Sequence, residues 1–461
     1  MHTKQQIEKY AIAALIAYIG IFLFTVAVIF VCPPYGDLYD WISHYFEAKS
    51  RNDHLIYLWD KHAEHHLVWM RLITALDIEL FRGQSYIFVA VALASVTSTY
   101  AMLRAFIAKE IKETSINTLW AWIIPMPLFL SVNAFGVGVH INTTYIISIV
   151  FSVAAIIISS DKKMGTSKEI LIILLFSLSV LGSGLGFAVL PVLLVDQWSR
   201  KRKFITPYSL ALALVFFVYF FDHLKISLNL QATNDFSFQN SVFKRILYFF
   251  DFLVLPFSAT SPKRFPFPPF VQNLLQLIGP FMGFVIFSLI VRNLKFKYLM
   301  KEDGETVTSR LERVSTNLIL FSCFIGIMIA LTRHNIEEDL YVPIRYTIML
   351  APLQIGFLLM LVTKAQSDHG FQKLVEFCRK NLIIITVTIL LIQALGSIVL
   401  YLHHVKLINN LKLFNQGIHT PDVMNYVYFS YSDKLDYVIK LSSEINDQNL
   451  YSSYLCKCQI N

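Results

Sequence analysis

Tyr10–Val31 reads YAIAALIAYIGIFLFTVAVIFV and contains no charged residue. Apolar runs of about 17–25 residues are long enough to cross a hydrocarbon core as a helix. This run exceeds the roughly 7–15 apolar residues of a cleaved leader and lacks a small-residue cleavage site before Pro33. It reads as a retained first span. Met1–Lys9, polar with Lys4 and Lys9, then lies inside, and Cys32 emerges on the far side.

Outward from that span, the whole composition agrees. The chain has 461 residues, 56% hydrophobic and only 15% charged, with a mean hydropathy of +0.56. These values lie outside the range of ordinary soluble domains. A bundle of helices satisfies its backbone polar groups internally and is the expected architecture in lipid. The net charge of +8 does not indicate nucleic acid, because the Lys and Arg residues fall in short loops on alternate sides, as the positive-inside rule requires. The five cysteines show no zinc-ligand spacing.

Further apolar segments follow at Ser85–Ala108, at Thr118–Val132 (broken by Pro125 and Pro127), and from His140 to Ser159. Leu171–Leu181 leads to the break Gly182-Ser183-Gly184-Leu185-Gly186, and the chain then passes Pro191 to the basic run Arg200–Lys203. Later segments are Tyr208–Phe221, Val271–Val291, Leu318–Leu331, Ile344–Leu361 and Leu382–Leu402. Ile246–Phe257, interrupted by Asp251 and ended by Pro256, reads as an interfacial or re-entrant helix, since a crossing there would put the later basic loops outside. The expectation is an all-α polytopic domain over residues 1–402 with about eleven spans, the N-terminus cytoplasmic and the C-terminus outside. It includes a first outer loop at 33–83 and a second at 222–270, and residues 403–461 form an outer tail. No internal repeat marks a two-fold transporter.

On this topology the polar residues gather on one side, which suits an enzyme or receptor opening outward. The first loop holds most of them. Asp37 and Asp40 share a face if Tyr35 onward is helical. Either could be a general base, while Asp37 could equally cap a helix. Glu64-His65-His66 lacks the spacing of a zinc helix and reads instead as hydrogen bonding or proton exchange at an anionic substrate, or as structural polar packing. Arg71 lies seven residues beyond Glu64, on the same face of a continuous helix. It is suited to a phosphate or to snorkelling toward headgroups. Arg333 and Arg345 add outer-side cations, Arg345 at the start of a span and followed by Tyr346.

An acidic motif directly after the first span resembles the C-type (GT-C) integral membrane glycosyltransferases. The block Glu64–Leu72 followed by Asp77 and Leu80-Phe81-Arg82-Gly83 looks similar to the bacterial serotype-converting O-antigen glucosyltransferases, as do Gly184-Leu185-Gly186 through Pro191 and Ile344-Arg345-Tyr346. The chain departs from that pattern in having His66 where Glu-His-Arg is frequent, and spaced acids rather than an adjacent pair. The resemblance implies an inverting transfer of a hexose, glucose foremost, from undecaprenyl phosphate to lipopolysaccharide O-antigen on the periplasmic face of the inner membrane. Asp37 or Asp40 would be the base. Glu64, His65, His66, Arg71, Arg333, Arg345 and Tyr346 would hold the donor phosphate and substrate. It implies membrane lipid as a partner, no nucleic acid, no cofactor and no metal requirement, with a metal left open. The rival readings are an O-antigen polymerase or ligase, and a lipid or sugar flippase, which calls for mid-span ionisable residues and paired broken helices.

Overall fold

The computed structural model describes residues 4–32, 38–62, 65–111, 119–139, 142–161, 164–199, 206–229, 238–255, 269–294, 310–332, 344–364, 382–417, 420, 423, 435–448 and 450. In chain order the first helices are α1 (Lys4–Ile29), α2 (Leu38–Arg51) and α3 (His54–Trp59). The antiparallel pair β1 (Lys61–His62) and β2 (His65–His66) follows. Then come α4 (Val68–Phe81), α5 (Tyr86–Ile111), α6 (Trp120–Ile123), α7 (Ala134–Gly138) and α8 (Thr143–Ser159). The next are α9 (Thr166–Gly182), α10 (Val189–Ser199), α11 (Pro207–Asn229), α12 (Phe238–Phe252) and α13 (Pro269–Leu294). The last are α14 (Arg310–Thr332), α15 (Ala351–Lys364), α16 (Leu382–Asn415) and α17 (Leu435–Asp447).

Among the described residues five helices are long and apolar enough to cross a membrane: Lys9–Ile29, Tyr86–Ile111, Arg310–Leu331, Tyr346–Thr363 and Ile384–Phe414. Ser131–Gly138 and Thr143–Ser159, taken as one bent span, make six. Shorter apolar helices lie at Gly184–Trp198, Pro207–Tyr219 and Ile278–Arg292. Both breaks read from the sequence are present. Pro125 and Pro127 remove helix donors, and the chain there runs through short turns at Met126–Phe129 and Ser131–Asn133. At the second break α9 stops at Gly182 and a turn spans Gly184–Ala188. A Cβ at Gly186 would stand 2.6 Å from the Ser179 carbonyl carbon, so only glycine lets the turn press against α9.

Contacts at helix ends fix how the bundle is threaded. Glu110 at the end of α5 and Asp161 just past α8 both meet Arg310 at the start of α14, the first at 2.9 Å. Lys168 at the start of α9 reaches Asp161 at 2.6 Å. At the opposite end the Thr143 hydroxyl donates to the Phe88 carbonyl at 3.4 Å. The Ser315 hydroxyl donates to Gly356 O at 2.7 Å, and Ser322 to Met349 O at 3.1 Å, so α15 runs antiparallel to α14. Thr25 and Ser397 lie 2.6 Å apart and hold α16 beside α1.

The end holding Glu110, Asp161 and Arg310 carries more than the simple basic loops that the sequence suggests. Asn317, wholly buried on α14, donates to Ser160 Oγ and Asp196 Oδ1 at 3.4 Å each. Glu110, Asp161 and Arg310 are far apart in sequence, and folding brings them together.

Two apolar cores result. The larger fills the bundle. The second joins α2, α4 and the start of α5 to the end of α16 and to α17, through Trp41, Ile42, Ile73, Phe88, Leu411 and Leu441 among others. The tail thus packs over the first loop. α12, read as an interfacial or re-entrant helix, buries Tyr248 and Phe252, packing against α13 and α14. Arg245 on it donates to the Ala330 carbonyl at 3.0 Å, near the end of α14.

Candidate functional site

The first loop folds as a small cap. α2 buries Leu38, Trp41, Ile42 and Tyr45, the i, i+3, i+4, i+7 stripe of an amphipathic helix. Its first turn carries Asp40 and its last turn Lys49 and Arg51, charges that suit the two ends of the helix dipole. The side chain of Asp53 accepts from the Ile56 amide at 3.4 Å and starts α3. After Trp59 the chain extends through Asp60 into the β1–β2 hairpin, with Lys61 opposite His66 and His62 opposite His65.

That hairpin corrects one expectation. Arg71 and Glu64 do not share a continuous helix, because α4 begins only at Val68. Nor does Arg71 reach outward toward headgroups, since its side chain is fully buried. α4 buries Met70, Arg71, Thr74, Asp77 and Ile78 on one face, and Arg71 is 0% exposed. Trp69 on the same helix donates its indole N–H to the Leu178 carbonyl at 2.9 Å and docks α4 on α9.

Around Arg71 three elements converge. Its Nη2 stands 3.3 Å from Asp60 Oδ2 and 3.3 Å from His44 Nδ1, and His44 Nδ1 stands 3.0 Å from Asp60 Oδ2. The guanidinium lies over the Tyr57 ring at 5.1 Å, within cation–π range. Burial pushes the Arg71 pKa down, and Asp60, Tyr57 and Asp40 oppose that shift. With an intrinsic value above about 12, the guanidinium stays charged. Burial also pushes the Tyr57 hydroxyl well up, keeping it neutral. A second clamp joins the helices alongside: Glu79 accepts from Lys49 at 2.6 Å and from Tyr45 at 2.5 Å, contacts that hold its pKa low.

The remaining candidates divide. Asp40 is half-buried in α2 and near enough to Arg71 to support its charge. His66 is buried, stacked on Trp59 with ring centroids 4.5 Å apart, and its Nδ1 lies 2.5 Å from the Trp59 carbonyl. Its backbone N–H donates to the Tyr219 hydroxyl at 3.0 Å, tying the hairpin to α11. Tyr346 is buried in the larger core, 6.0 Å from the Tyr145 ring, whereas Tyr57 and Met70 beside Arg71 belong to the second core. Asp37, Glu64 and Arg333 lie outside the described residues, as do the side chains of His65 and Arg345.

Sequence reasoning missed His44 and Asp60 as site members. They stand 27 and 11 residues from Arg71, and no helical or strand period links the three. The one available signal was that Asp60 directly precedes the histidine-rich turn. Among the described residues no three His, Cys, Asp or Glu side chains form a metal site. Chemically, the site offers a shielded cation, a carboxylate and an imidazole at the mouth of an apolar bundle. No protein-family model, no curated protein and no solved structure matches the chain.

Proposed function

We propose that this chain is an inverting membrane hexosyltransferase that uses a polyprenyl-phosphate sugar, undecaprenyl phosphate being the carrier and glucose the foremost hexose. The acceptor is an O-antigen hydroxyl of lipopolysaccharide, and the reaction takes place on the periplasmic face of the bacterial inner membrane. The observation that carries this reading is the wholly buried Arg71 beside Asp60 and His44, in a cap seated on one end of the helix bundle.

The chemistry follows from charge. The acceptor oxygen attacks the anomeric carbon as the bond to the lipid phosphate breaks, and negative charge grows on the phosphate. A preorganised cation held out of water lowers that barrier. Arg71 is shielded, so its field is little screened and acts through space rather than by a solvent-exposed fork. Arg333 and Arg345 are further cations assigned to the phosphate by the resemblance, and Asp37 and Asp40 the bases. The apolar bundle gives the prenyl chain a place to lie, and about eleven spans with a GT-C arrangement belong to this same reading.

Orientation has independent support. Cys32, at the cap end of α1, is disulfide-bonded, with its partner outside the described residues. Disulfides persist in oxidising compartments such as the periplasm. The full-length protein in detergent, given a polyprenyl-phosphate hexose and O-antigen-bearing lipopolysaccharide, should release free polyprenyl phosphate and add one hexose to the polysaccharide by mass. Donor hydrolysis without any glycan product, or no turnover with any polyprenyl-linked sugar, rejects the assignment.

A further inference from the structure

We infer that His44, oriented by Asp60, takes the acceptor's proton in place of the aspartates that the resemblance assigns to that role; this rests on the hexosyl-transfer reading. The argument is one of tautomers. His44 Nδ1 and Asp60 Oδ2 are 3.0 Å apart. A bare ring nitrogen facing a carboxylate oxygen at that distance would set lone pair against lone pair, so Nδ1 carries the proton and donates to Asp60. Arg71 Nη2 lies 3.3 Å from both atoms. It cannot donate to a nitrogen that already bears hydrogen, so its N–H serves Asp60.

Neutral His44 therefore has its lone pair on Nε2, which is the orientation that a second group must impose on a histidine general base. The side chain is 37% exposed and can be reached from solvent, whereas Arg71 behind it is not. Asp60 thus accepts from two donors on opposite functional duties: His44 faces the reaction, and Arg71 fixes the carboxylate from inside the cap. Asp60 and Arg71 are positioning residues for this step.

The step balances. The acceptor O–H loses its proton to Nε2 as its oxygen forms the bond to the anomeric carbon. The electron pair of the breaking C–O bond leaves with the lipid phosphate. The resulting imidazolium is stabilised by Asp60 and later returns the proton to water.

The test uses the full-length protein with polyprenyl-phosphate glucose and O-antigen lipopolysaccharide. His44→Asn retains a short side-chain donor toward Asp60 but removes the base. Its kcat should fall by roughly 100- to 10,000-fold, as expected for loss of a general base, with donor KM unchanged. His44→Ala should regain activity when imidazole is added, a response that a structural role would not give. Nitrogen NMR of the histidine-labelled wild type should show His44 protonated at Nδ1, and Asp60→Asn should abolish that preference. Wild-type turnover together with full activity in His44→Asn overturns the inference and leaves the hexosyl-transfer reading standing. Absence of wild-type glycosyl transfer sinks both, and an Nε2-protonated His44 in the NMR spectrum sinks the tautomer argument whatever the activity.

Discussion

The carboxylate of Asp77 accepts the backbone N–H of Ser85 at 3.0 Å and so closes the turn that leads from the cap into α5. Arg82, Gly83 and Ser85 in that turn all have positive φ, at 51°, 70° and 60°, a conformation that needs outside support in residues other than glycine. The Asp77 main-chain carbonyl adds a bond from Gly83 N at 2.9 Å. The Ser85 hydroxyl donates to Cys32 O at 3.1 Å, tying the turn to the end of α1.

Burial raises the Asp77 pKa from 3.8 to about 7, against the opposing pull of the Ser85 amide. The folded state therefore binds this proton more tightly than the unfolded state. Its contribution to stability is greatest below about pH 4 and is lost as pH rises toward 7, on the order of a few kcal/mol across the window. Asp77→Asn keeps an oxygen for Ser85 and removes the ionisation. Thermal unfolding in detergent should show that limb flattened in Asp77→Asn, and lower stability at acid pH in Asp77→Ala, which lacks the acceptor. An unchanged pH limb in Asp77→Asn would contradict the assignment.

Arg71→Lys replaces a planar fork by a point charge that cannot lie over Tyr57 while also reaching Asp60 and His44. The variant should lose about 1.5–3 kcal/mol of stability, the range for hydrogen bonds to charged groups. Transfer activity should fall further than folded protein does. Urea unfolding alongside turnover at matched protein levels separates the two effects, and wild-type turnover in Arg71→Lys would remove Arg71 from the site.

Much of the bundle is legible in the sequence because lipid imposes a coarse rule: long apolar runs at Tyr10–Val31 and Ser85–Ala108 become α1 and α5, and Pro125, Pro127 and Gly182–Gly186 break the helices where backbone chemistry requires. The cap follows finer rules. Two-residue strands such as Lys61–His62 carry no period to detect, so Glu64 and Arg71 look like neighbours on one helix. The encounter of His44, Asp60 and Arg71 depends on where the hairpin returns the chain, and local pattern does not encode that return. The charges Glu110, Asp161 and Arg310 stand at separate helix ends and become a network only when α5, α8 and α14 align.

Two glycines provide a matched test of the break after α9. Gly186→Ala would drive a methyl to 2.6 Å from the Ser179 backbone, where nothing flexible can yield, and overpacking of this kind costs about 1–3 kcal/mol. Gly165, the N-cap of α9, has open space around the same position, so Gly165→Ala meets no clash and should cost no more than the weaker cap, about 1 kcal/mol or less. Equal melting temperatures for the two variants would show that the α9 turn is not packed as described.

Orientation has its own prediction. Leu55 on α3 is 81% exposed at the cap end of the bundle. Gly165 stands at the other end, one residue before α9 and near the Lys168–Asp161 pair. If the cap faces the periplasm, Leu55→Cys should react with a membrane-impermeant maleimide in intact cells once the outer membrane is permeabilised. Gly165→Cys should react only after the inner membrane is opened. The positive-inside rule leads to the same expectation for that end, since Lys162, Lys163 and Lys168 lie close together in sequence. Labelling of Gly165→Cys in intact spheroplasts, with Leu55→Cys protected, would invert the orientation. The site around Arg71 would then face the cytoplasm, where periplasmic O-antigen is absent, and the proposed acceptor would have to be abandoned.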